Sequence, residues 1–138
     1  ICGPCVRTSY LNRSRPLPQW MRDKRVLVAV HAGLKWEDGY ADTIRRIMGC
    51  EPPAEARDTG IIGAMVLSGR QWTSGRGAPP ESPWWGGPHG YEIEWAAALA
   101  TPIPVKGSRS FWVLDHNVVD AIYTLASGIS GFLVDEPT

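Results

Sequence analysis

The sequence predicts a small mixed barrel, α+β or mainly β, with about two inserted or flanking helices. Three observations predict it. Short β-branched or alternating segments outnumber helical ones, and their spacing is too irregular for a repeat architecture. Only one strand–helix–strand unit, Val26 to Leu67, is visible, which argues against a parallel sheet. The run Tyr91-Glu92-Ile93-Glu94-Trp95, the turn Pro102-Ile103-Pro104-Val105-Lys106-Gly107 and the segment Phe111-Trp112-Val113-Leu114 read as successive parts of one sheet.

Taken in order, residues 1–25 form a basic N-terminal segment rich in Arg, Pro and Ser, without a defensible period. Val26-Leu27-Val28-Ala29-Val30 is β-branched and reads as a buried strand that stops before Gly33. Asp38–Met48 has helical spacing: Tyr40, Ile44, Ile47 and Met48 recur at three and four residues, Gly49 supplies a stop, and Pro52-Pro53 cannot continue it. Thr59–Arg70 is a second strand. Residues 73–90 are a long loop dense in Gly, Pro and Ser, with Trp84 and Trp85 inside it; a loop of that length in a compact domain is functional or mobile. In Tyr91–Trp95 strict alternation places Tyr91, Ile93 and Trp95 on one face and Glu92 and Glu94 on the other. Phe111–Asp115 is a further strand. Asn117 can cap a terminal helix with Val118, Ile122, Leu125 and Ala126 on its apolar face, and residues 128–138 read as a frayed tail.

A length of 138 residues fits a single domain spanning 1–138, with room for a core that needs no disulfide or metal staple. No apolar run approaches the roughly 20 residues that cross a bilayer. No run has the pattern of a secretory signal, so the expected location is cytoplasmic, with no membrane partner. Formal net charge is zero, which argues against a general coat for polyanions. The charges are segregated, however. Arg7, Arg13, Arg15, Arg22, Lys24 and Arg25 stand against Asp23 alone in the first 25 residues, while residues 115–138 carry four acids and no Lys or Arg. Seven Trp in so short a chain is high, and each brings a large apolar surface with one N–H to satisfy.

Three blocks in this order resemble the ASCH domain, a branch of the PUA-like barrels. Val28-Ala29-Val30-His31-Ala32-Gly33 resembles the family's strand ending in Ile-His-Ala. Thr59-Gly60-Ile61-Ile62-Gly63-Ala64 resembles its Gly-x-Ile-x-Gly strand. Tyr91–Leu114 resembles its Trp-containing strand, Pro-Ile-Pro-x-Lys-Gly turn and closing Leu-Trp strand. The family's N-terminal Gly-x-Lys-x-x-Glu-x-Arg motif is matched by Val6–Arg13, where Asn12 and Arg13 fit but Thr8 holds the Lys position and Leu11 the Glu position. The resemblance implies a cleft for RNA, with DNA or a modified nucleoside as alternatives. The loss of the Lys and Glu tilts the expectation from hydrolase to binding module, since proton transfer depends on such groups.

The ligand-binding candidates are Asn12, Arg13, Arg15, His31, Tyr91, Trp95, Lys106, Trp84 and Trp85. Arginine can give bidentate bonds to phosphate or a base edge, and Lys106 lies in a Gly-terminated turn. Tyr91 and Trp95 suit a stacking platform or a barrel core, with core the commoner outcome; Trp84 and Trp85, in a Gly/Pro loop, are the better stacking candidates. The catalytic candidates are Lys106, His31 and Glu92 for acid–base work, each with a structural or solvated alternative. A third reading is a protein-interaction domain using the Trp-rich loop. Cys2-Gly3-Pro4-Cys5 resembles a thioredoxin-type redox site but lacks a preceding strand and a following helical stripe. A zinc site from Cys2, Cys5, Cys50 and a His lacks a second close pair, so no metal or other cofactor is expected.

Overall fold

The protein was analysed as a computed structural model that describes residues 10–33, 42, 45–47, 49, 59–77, 80–82, 84–108 and 111–134. Four strands, β1 (Tyr10–Arg13), β2 (Val26–Ala32), β3 (Gly60–Thr73) and β4 (His89–Ile103), form one antiparallel sheet in the order β1-β4-β3-β2. One α-helix, α1 (His116–Leu125), packs on β3 and β4. Asp42, Arg45, Arg46 and Ile47 are also helical; the rest of the expected Asp38–Met48 helix lies outside the described residues. The result is a mixed α+β domain made mostly of sheet.

Among the described residues the expected closed barrel is an open sheet. β1 and β2 are its opposite edges and do not pair. The outer side of β2 is met instead by the chain after α1: Leu27 N–H donates to the Leu133 carbonyl (2.8 Å) and Leu133 N–H to the Arg25 carbonyl (2.7 Å), a parallel bridge. The supposed frayed tail is therefore tied down through Val134. Arg25 reinforces it, since its guanidinium donates to the Ser130 and Gly131 carbonyls and pairs with the Glu94 carboxylate.

The two faces of the sheet carry separate cores. On one face Leu17 and Met21, from the segment between β1 and β2, cover Val26, Met65, Leu67, Tyr91 and Ile93. On the other, Val118, Ile122 and Ala126 from α1 cover Leu27, Ile61, Ala64 and Val66, with Trp95 and Leu99 packed against them. Burying the Leu, Ile, Val and Met side chains among these stabilises the fold by roughly 1.5–3 kcal/mol each before entropy is counted. A β-bulge explains how β4 serves both. Leu67 pairs with Ile93 while Val66 pairs with Trp95, so Glu94 is an extra residue that faces no partner. Tyr91 and Ile93 thus project to one side and Trp95 to the other. The expected common face of Tyr91, Ile93 and Trp95 is corrected accordingly, because perfect alternation in the sequence carries no mark of an inserted residue.

Two further segments differ from expectation. Phe111–Asp115 is irregular chain leading into α1, and Val113 is 89% exposed. The helix begins at His116, with Asp115 in the capping position and no side-chain cap bond, so Asn117 is inside the first turn. β3 also bulges between Leu67 and Gln71. Gly69 there has φ +89°, and a Cβ would lie 2.3 Å from the Lys24 backbone nitrogen, so this contact with the turn before β2 accepts only glycine. Among the described residues no helix is long and apolar enough to cross a membrane.

Candidate functional site

Register divides the sequence candidates between opposite ends of the sheet. Arg13 pairs with His89, which pairs with Thr73, at one end; Ile103 pairs with Ile61 and Ala32 with Gly60 at the other. The 15 residues of β4 separate these ends by roughly 45 Å at about 3.3 Å per residue. A single cleft lined by Arg13, His31, Tyr91 and Lys106 is therefore not what these strands build.

At the Ile103 end, His31 Nε2 is bonded to the Val105 carbonyl at 2.7 Å. Its ring fills the space beside Gly107, where a Cβ would lie 2.6 Å from Cε1, and Trp112 meets it edge-on at 5.7 Å. The histidine thereby clamps the turn that leaves β4, which is the structural role. Lys106 is exposed beside it.

At the His89 end the candidates have unequal fates. Tyr91 is a core residue, 3% exposed, whose hydroxyl donates to the Arg15 carbonyl. Burial pushes that hydroxyl's pKa up, and nearby Arg13 offsets part of the rise. Trp95 is partly buried and packs against the core on the face that α1 covers. Asn12 is committed to the protein itself. Its Nδ2 donates to the Trp84 carbonyl (2.8 Å), and its Oδ1 accepts from Gly86 N–H (2.9 Å) and Gly87 N–H (3.2 Å). That clamp folds the Trp84–Gly87 segment back onto the sheet, with the Trp85 ring lying over Gly90; a Cβ on Gly90 would come within 2.7 Å of Trp85 Cδ1. The Trp85 indole N–H is buried there without a partner among the described residues. Arg13 and Arg15 are exposed, and among the described residues Arg13 donates only to the carbonyl of Asn12.

The same end contains side chains that sequence reasoning missed. On the face shared with α1, but beyond the helix, Tyr10 of β1 stands opposite Glu92 of β4, and Trp72 of β3 opposite Gly90. Tyr10 and Trp72 meet edge to face at 5.6 Å. The Arg70 guanidinium lies over the Trp72 ring, 5.6 Å from its centroid, and makes no hydrogen bond or ion pair with a described residue. Desolvation first, and the Glu92 carboxylate second, raise the pKa of the Tyr10 hydroxyl, while Arg70 opposes them. The signal available in the sequence was Arg70-x-Trp72, a cation and an aromatic two residues apart past the apolar part of a strand. An exposed guanidinium over an aromatic ring has donors available to a planar or anionic group.

The acid–base candidates are dispersed. Glu92 is in this patch, while His31 and Lys106 are at the far end. Among the described residues no group of three or more His, Cys, Asp and Glu gathers as metal ligands would. Cys2, Cys5 and Cys50 lie outside the described residues. Comparisons with protein-family models, curated proteins and solved structures find no match to this chain.

Proposed function

We propose that the protein is a nucleic-acid or nucleotide binding module, with RNA ahead of DNA, and that it works through the Tyr10–Arg70–Trp72 patch. The observation that carries the reading is the exposed Arg70 guanidinium over the Trp72 ring beside Tyr10, with no hydrogen bond or ion pair to any described residue. A base can stack on the outer face of such a guanidinium or against the aromatic edges, which is how single-stranded RNA is commonly held. β1 is an edge strand, so a ligand crossing it brings its backbone to exposed Arg13 and Arg15 on the rim. The sequence resemblance to ASCH domains supports the same class of ligand. Hydrolysis has less support, because Glu92 has neither His31 nor Lys106 near it to share proton transfer.

The test is a titration of the whole chain with single-stranded RNA and DNA at two salt concentrations, read by tryptophan fluorescence. Binding at low salt is expected to weaken as salt rises. Arg70→Ala should cost about tenfold, the lower part of the range for one lost stacking partner, whereas Lys106→Ala should leave affinity unchanged. Absence of binding at low salt, or equal loss on Lys106→Ala, would refute the assignment.

A further inference from the structure

The patch contains a carboxylate as well as a cation. β4 runs between β3, which supplies Arg70 and Trp72, and β1, which supplies Tyr10. Of the two β4 residues facing this patch, Gly90 has no side chain and is covered by the Trp85 ring. Glu92 is thus the group that β4 presents on the floor, opposite Tyr10 and half-buried. It forms no ion pair with Arg70 or hydrogen bond with any described residue, although its charge is felt at Tyr10. A phosphate would be repelled from that floor. A base edge carrying hydrogen-bond donors would be accepted by it.

We propose that Glu92 is a specificity-determining residue that selects guanine as the base taken by the Arg70–Trp72 platform. This rests on the nucleic-acid reading above and adds the identity of the base. An ionised carboxylate only accepts hydrogen bonds, through two adjacent oxygens. Guanine offers two adjacent donors, N1–H and the 2-amino group, on its Watson–Crick edge. Adenine and cytosine each place a ring acceptor beside their amino group, and uracil flanks its one N–H with two carbonyls. Only guanine therefore meets both carboxylate oxygens without an opposed lone pair. With the ring stacked on Arg70 over β3, its edge points across β4 toward Glu92.

The experiment measures fluorescence anisotropy of labelled eight-nucleotide RNAs, uniform in uracil except for one central guanine, adenine, cytosine or inosine, with the all-uracil strand as reference. The guanine strand should bind about tenfold tighter than the other natural strands, in line with one bidentate contact, and inosine, which lacks the 2-amino group, should fall between. Glu92→Gln keeps the shape and removes the charge; it should abolish the guanine preference, bringing the guanine, adenine, cytosine and all-uracil strands within about twofold of one another. Equal binding of all natural strands, or a preference that survives Glu92→Gln, would overturn this proposal and leave the nucleic-acid reading standing. Binding of none of them at low salt would overturn both.

Discussion

Replacing Asn12 by alanine removes three hydrogen bonds at once, those to Trp84, Gly86 and Gly87. Each is worth about 0.5–1.5 kcal/mol net. The groups left behind lie in a partly exposed segment where water can replace the side chain, and the released segment regains entropy, so the low end applies: roughly 1–2 kcal/mol in total. For a domain of this length that is a fall in Tm of roughly 3–8 °C. Urea unfolding followed by tryptophan fluorescence gives the stability change, and amide hydrogen exchange locates it. The Gly86 and Gly87 amides should exchange faster in Asn12→Ala. In Asn12→Asp the acceptor remains, so those two amides should stay slow, while the second carboxylate oxygen now opposes the Trp84 carbonyl. If Gly86 and Gly87 exchange equally fast in the native and Asn12→Ala proteins, the side chain is not the clamp described, and a role toward ligand would have to be reconsidered.

Gly90→Ala places a methyl group 2.7 Å from Trp85 Cδ1 and should expel the ring, costing about 1–3 kcal/mol as overpacking and shifting tryptophan emission to longer wavelength; an unshifted spectrum at native stability would contradict the seating of Trp85. Tyr91 carries a pH dependence. Its folded pKa is raised above the ordinary value of 10.0, so the unfolded chain gives up that proton first. Its contribution to stability is fully present below about pH 10 and is lost as pH climbs through the higher folded value. Tyr91→Phe should therefore unfold less steeply in alkali than the native protein, with the remaining slope including Tyr10; identical alkaline profiles would count against the buried hydroxyl as the cause.

Much of the sheet is readable in the residues, and the reasons for the failures are physical. Val26–Val30 and Ile61–Leu67 are apolar because both faces of those strands are covered, one by the Leu17–Met21 segment and the other by α1. Their strand character is visible in composition alone. Tyr91–Trp95 is recognisable as a strand, but its division between two cores is not, because Glu94 looks like any other outward residue. Phe111–Leu114 has strand composition and no strand partner among the described residues, an instance of tertiary context overriding propensity. The candidate site was less legible. Asn12 has the chemistry of a ligand group, and only the folded loop reveals that its valences are already filled. Arg70 and Trp72 become noticeable once β3 is known to continue past its apolar part to Thr73. Arg13 and Lys106 are both exposed cations, and only the register puts them at opposite ends.

The unpaired residue at Glu94 turns β4 into a strand in which counting modulo two decides what is inside. Excising that one residue would make Ile93 and Trp95 neighbours, so Trp95 would keep Val66 as its partner and the inner and outer sets beyond it would stay as they are. Excising Ala96 instead would turn Ala98 and Ala100 toward α1, and Ala97 and Leu99 to the face they now avoid. Single-residue insertions or deletions beyond Trp95 carry the same penalty, whereas paired changes preserve parity. Length variation along this strand is thus expected in steps of two, with the odd step confined to the bulge.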